Sequence, residues 1–275
     1  MSGLRQEFVQ RSITAICLSA VVVALVLFSP NLILNTFVFL LSLALFFEWM
    51  KVSKASRKKK IIFLLLFSSL ICCILGFGAL LEPIPIITML GITVWIVIAF
   101  QIFFREGRLS SSFSFTNFWI GLILISTFCL TSFQFVNGSR LFLLIAIFNV
   151  AIFDSGAYII GKNFGKNSFL PELSPNKTIE GLIGGLASSI VFVTLLYILI
   201  EEVSLKASIA LMLSIPFALC GDYFFSFLKR KANIKDTGSI LPGHGGLLDR
   251  VDSHLAAIPM TAFFSHLLYM LGLYF

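Results

Sequence analysis

Residues 141–160 read LFLLIAIFNVAIFDSGAYII, a run whose one charged side chain is Asp154. At about 1.5 Å of helical rise per residue such a run is roughly 30 Å long, the thickness of a bilayer's hydrocarbon core. Comparable apolar runs recur through the 275 residues, which are 58% hydrophobic and 12% charged. Soluble domains are instead about 25% charged. The fold expected is therefore all-α: a polytopic integral membrane protein with about nine transmembrane helices, near 12–28, 32–50, 61–81, 85–104, 117–136, 141–160, 181–200, 205–228 and 254–275. So many spans leave no length for a large soluble catalytic domain, and chemistry is confined to loops and helix ends. The first pair, divided by Ser29-Pro30-Asn31, reads equally as a short hairpin or as one broken helix.

The net charge of +7 is a matter of topology rather than of nucleic-acid binding. With the N-terminus in the cytoplasm and the C-terminus outside, nine spans put all but Arg140 and Lys206 of the 20 Lys and Arg on the cytoplasmic side. The location expected is the cell membrane, multi-pass, with the lipid bilayer as a partner. No small-residue cleavage site follows the first apolar run, so no cleaved signal peptide is expected. Cys17, Cys72, Cys73, Cys129 and Cys220 all lie in apolar runs without paired spacing, which points to packing rather than disulfides or zinc.

Polarity divides the chain into N-terminal hydrophobic helices with basic loops over 1–136 and a C-terminal catalytic region over 137–275. The first half is almost featureless apart from its basic loops. In the second, Asp154 stands inside a span, where a carboxylate is costly and marks function by default. After it come Ser174-Pro175-Asn176-Lys177-Thr178 and the small residues Gly181, Gly184 and Gly185. Ser174 or Asn176 is expected to cap the next helix, and the three glycines to allow close helix packing. A second intramembrane carboxylate, Asp222, has Ser226 one helical turn away.

The most polar stretch runs from Ser226 to Ser253 and holds Lys229, Arg230, Lys231, Lys235, Asp236, His244, Gly245, Gly246, Asp249, Arg250 and Asp252. This set suits phosphate chemistry with a divalent metal. Mg²⁺ takes one or two carboxylates together with waters and substrate phosphate oxygens, which Asp222, Asp249 and Asp252 can supply. Lys229, Arg230, Lys235 and Arg250 can neutralise phosphate charge, the arginines as bidentate forks. Gly243, Gly245 and Gly246 permit backbone N–H groups to approach an anion.

Ser-x-x-Lys-Arg-x4-Lys-Asp followed by Pro-x-His-Gly-Gly-x-x-Asp-Arg-x-Asp, complete from Ser226 to Asp252, resembles the signature of the phosphatidate cytidylyltransferases, or CDP-diacylglycerol synthases. The runs at 154–158 and 174–178 and the pair Gly221-Asp222 are similar to further family elements in the same order. The resemblance covers 154–253, and Ile179 stands where the family is often aromatic. It implies transfer of CMP from CTP to phosphatidic acid, giving CDP-diacylglycerol and pyrophosphate on the cytoplasmic face, in phospholipid biosynthesis. It also implies Mg²⁺, allows a monovalent cation such as K⁺ nearby, and implies a homodimer; no nucleic-acid partner is expected. Asp222 and Asp249 are then the first metal ligands, with Asp252 and Asp154 second. Lys229, Arg230, Lys235 and Arg250 would hold phosphates, with Lys177, Ser174 and Asn176 opposite and His244 donating to the leaving pyrophosphate. A CTP-dependent lipid kinase is the nearest alternative, and an anion transporter is a rival from another class.

Overall fold

The computed structural model describes residues 19–53, 83–104, 113–171, 174–238 and 245–272, with scattered positions between 56 and 69. After a short helix, Ser19–Phe28, come α1 (Asn31–Val52), α2 (Pro83–Phe104), α3 (Phe113–Gly138), α4 (Arg140–Phe164), α5 (Ile179–Leu199), α6 (Leu205–Ala232) and α7 (Leu248–Met270). Among the described residues five helices are long and apolar enough to cross a membrane: α1, α3 over Phe118–Gly138, α4, α5 and α6. The span expected at 61–81 lies largely outside the described residues. The last helix starts at Leu248 rather than near 254, which draws Asp249, Arg250 and Asp252 into its first turns.

The breaks between helices have local causes. Pro30 has no N–H and stands extended before α1 (φ −56°, ψ 152°). Ser139, Thr178 and Ser204 each turn a side-chain oxygen to accept from the backbone N–H three residues on, starting α4, α5 and α6. The cap expected at Ser174 or Asn176 is therefore Thr178. The reason is that Ser174–Thr178 is not helical but extended, forming strand β2 antiparallel to β1 (Ser168–Leu170), with Ser168 opposite Thr178 and Leu170 opposite Ser174. This hairpin is a departure from a purely helical fold. Asn233, left-handed at φ 56°, ends α6.

Helix association in lipid draws on close packing and polar ties rather than on the exclusion of water. The glycines expected to allow close packing do so. A Cβ at Gly181 would come within 2.7 Å of the Ala157 carbonyl oxygen, and one at Gly185 within 2.7 Å of that of Phe153, so α5 lies backbone to backbone on α4. Gly221 similarly brings α6 against the Asp252 carbonyl of α7. Asn149 of α4 accepts from Ser189 of α5 (2.7 Å) and donates to the Leu211 carbonyl of α6 (3.2 Å), tying three helices. Aromatic side chains fill the centre. Trp49 of α1 stacks on Phe224 (6.2 Å between ring centroids) and meets Phe225 edge-on (5.6 Å), while Trp95 of α2 meets Phe224 (5.9 Å). The first helix is thus anchored on the inner side of α6.

Gly185→Val should force α4 and α5 apart at a cost of about 1–3 kcal/mol. The checking measurement is the thermal midpoint in detergent, expected to fall by several degrees. Gly138→Ala, where nothing lies within 4 Å of the added methyl, should leave it nearly unchanged.

Candidate active site

Helices α4, α6 and α7 and strand β2 enclose a cavity of about 800 Å³. Its wall includes Asp154 from α4, Ser174, Asn176 and Lys177 from β2, Asp222 and Lys229 from α6, and Asp249, Arg250 and Asp252 from α7. Residues almost 100 positions apart are gathered by the two close helix pairs. The helical spacing explains the local presentation. Asp249 and Asp252 are three apart on α7, and Asp222 follows the glycine that lets α6 touch α7.

Charge in the wall is balanced, with four carboxylates (Asp154, Asp222, Asp249, Asp252) and four cations (Lys162, Lys177, Lys229, Arg250). Lys177 forms an ion pair with the Asp222 carboxylate and lies 4.4 Å from the centroid of the Tyr223 ring. Asp154, Asp222 and Asp252, from three helices, line the same cavity. Among the described residues no three acidic, histidine or cysteine side chains converge closely enough to cage a metal unaided. That donor set fits a hard cation completed by waters and substrate phosphates better than a dedicated protein cage.

Asp249 has a second task. Its Oδ2 accepts from the Thr237 N–H (2.8 Å), the Thr237 hydroxyl (3.0 Å) and the Gly246 N–H (3.0 Å), and its Oδ1 from Lys229 Nζ (2.8 Å). The Gly246 amide, expected to face a bound anion, is directed to a carboxylate of its own chain instead. Gly245 is left-handed at φ 81°, a conformation its lack of Cβ permits. Ser226, Arg230, Lys235, Gly245 and Gly246 are not in the cavity wall, and Arg230 and Lys235 are exposed. His244 lies outside the described residues.

A model of the cytidylyltransferase family matches residues 9–268. The chain belongs to that family. Curated relatives bear the name phosphatidate cytidylyltransferase. The Bacillus subtilis (strain 168) protein is 43% identical over 113 residues, 40% of this chain and 42% of that one. That of Staphylococcus haemolyticus (strain JCSC1435) is 42% identical over 122 residues, 43% and 46% of the two chains. The Staphylococcus aureus (strain COL) protein is 38% identical over 149 residues, 49% and 57%. The chain spans about half the length of the curated relatives it matches.

This cytidylyltransferase-family chain also uses a residue from its supposedly featureless half. Glu48 of α1 is 0% exposed. It accepts from the Leu247 N–H at Oε1 (3.0 Å) and from the Leu248 N–H (2.8 Å) and Thr237 hydroxyl (3.1 Å) at Oε2. Its signal was available: a single carboxylate in the apolar run LLSLALFFEWM carries the same meaning as Asp154 or Asp222. Thr237 had no comparable signal, because its role depends on two carboxylates that only the fold brings to it.

The Lys229–Asp249 pair is mostly buried, at 19% and 8% side-chain exposure, and removing one partner of such a pair costs about 3–5 kcal/mol. Lys229→Met should therefore lower the thermal midpoint sharply. Combining it with Asp249→Asn should cost less than the sum of the single changes, and strict additivity would show that the two do not interact.

Proposed function

We propose that the protein transfers CMP from CTP to phosphatidic acid, releasing pyrophosphate and forming CDP-diacylglycerol, at the cytoplasmic face of the cell membrane. The observation that carries this reading is the cavity, in which four cations and four carboxylates meet among apolar helices. Two polyanions must be brought together there. Acyl chains can remain in hydrocarbon while the lipid phosphate enters among Lys177, Lys229 and Arg250.

The phosphatidate oxygen, already ionised near neutral pH, attacks the α-phosphorus of CTP, and the bond to the bridging oxygen of pyrophosphate breaks. No protein nucleophile is needed. The chain contributes positioning and electrostatic stabilisation of the added charge. One or two of the aspartates Asp222, Asp249, Asp252 and Asp154, Asp222 first, would hold Mg²⁺, with waters and substrate phosphates completing its shell. Bound there, the metal would neutralise phosphate charge and orient the phosphates. A divalent ion would make the wall net positive, which suits a triphosphate. Lys177 pairs with Asp222, and a metal held by Asp222 would leave its ammonium to a substrate phosphate. Arg250 offers a planar fork to a second phosphate.

The test is turnover of labelled CTP by detergent-purified protein, with and without phosphatidate and Mg²⁺. Lipid-borne CMP with equimolar pyrophosphate, dependent on both additions, is expected. Release of CDP without pyrophosphate would instead identify a CTP-dependent lipid kinase, and absence of turnover by folded protein would return the transporter. Asp222→Asn should reduce the rate on the order of 100-fold or more, and Ser226→Ala, outside the cavity wall, much less. Sidedness has its own check: in a cysteine-free background, Lys235→Cys should react with an impermeant maleimide only in inside-out vesicles.

A further inference from the structure

The helix that carries Asp249, Arg250 and Asp252 begins at Leu248, and the residue before it, Leu247, has an apolar side chain that makes no capping hydrogen bond. A helix N-terminus leaves backbone N–H groups without intrahelical partners, and a buried one needs an acceptor from elsewhere. Here the acceptor comes from the other end of the chain. Glu48 takes the N–H groups of Leu247 and Leu248, 199 and 200 residues away, one on each carboxylate oxygen. A negative group at that position also meets the positive end of the helix dipole. Through the Thr237 hydroxyl the same carboxylate adjoins Asp249, whose Oδ2 lies 3.0 Å from that hydroxyl against 3.1 Å for Glu48 Oε2. Space around it is closed: a Cβ on Gly246 would come within 2.7 Å of Glu48 Oε2. Glu48 itself is held by its neighbour Trp49, which is packed between Phe224 and Phe225 of α6. Glu48 does not line the cavity.

We propose that Glu48 is a positioning residue for the cytidylyl transfer proposed above: from the first described long helix it caps α7 and fixes where Asp249 and Asp252 stand in the cavity. Glutamine at this position has the same shape but only one acceptor oxygen, and its NH₂ group would face a donor. The first turn of α7 should then loosen while the aromatic core stays intact.

Two readouts of Glu48→Gln test this, hydrogen exchange of the purified protein and steady-state kinetics. Exchange should quicken over 245–253 and not over 190–199, and kcat should fall about 10- to 100-fold, the range seen when groups supporting a metal's ligands are removed, with KM for phosphatidate within about twofold. A folded variant with wild-type exchange over 245–253, or with wild-type kcat, overturns the proposal. A general structural defect would quicken exchange in both segments and lower the active fraction, which also counts against it. If Glu48→Gln does not fold, Thr237→Val is read in the same way. It removes the hydroxyl between the two carboxylates, and wild-type exchange and kcat in that variant overturn the assignment. Wild-type protein that transfers no CMP overturns the proposed function whatever Glu48 does. Turnover by the wild type that Glu48→Gln fully shares overturns the role of Glu48 alone.

Discussion

A carboxylate among apolar helices is costly unless donors, a cation or a polar cavity meet it. That constraint organises the polar half of this protein. Glu48 is met by two helix N–H groups and a hydroxyl, Asp249 by two N–H groups, the same hydroxyl and Lys229, and Asp222 by Lys177. These three solutions differ in what they leave available. Glu48 is buried within the protein, Asp249 is mostly committed to its loop, and Asp222 faces the cavity with a lysine that a phosphate can compete for.

The apolar part of the fold serves this polar centre by bringing backbones close. Small residues on α5 and α6 remove the side-chain volume that would hold α4 and α7 away, and the cavity lies where the two close pairs meet. Close backbone contact is a demanding geometry because it tolerates no added methyl group. The β1–β2 hairpin completes the enclosure by carrying Lys177 over the ring of Tyr223 and against Asp222.

Much of this was legible in the order of residues. Apolar runs located α1 to α6 to within a few positions, because a chain in hydrocarbon must satisfy its backbone within helices, whereas α7 begins six residues before the expected start of the last span. Charge within apolar sequence is costly, and Asp154 and Asp222 do line the cavity with Lys229, Asp249, Arg250 and Asp252, whereas Ser226, Arg230 and Lys235 of the same charged stretch do not. The glycines before the middle of α5 announced close packing. Helix starts were less legible. The cap of α5 falls at Thr178 because the residues before it pair as a strand, and that pairing depends on a partner segment rather than on local preference.

The pairing of charges belonged to the tertiary structure. Spacing along the chain could nominate Lys229, Lys177, Gly246 and the four aspartates as one phosphate and metal site, but it could not say that Lys229 is directed to Asp249, Lys177 to Asp222 and Gly246 to Asp249. Nor could it connect Glu48 with an amide 199 residues later. Secondary structure in a membrane follows from local hydropathy, which any window of the chain contains. Electrostatic and hydrogen-bond partners follow from distances between windows, and those exist only once Trp49, Gly185 and Gly221 have set how closely the helices approach.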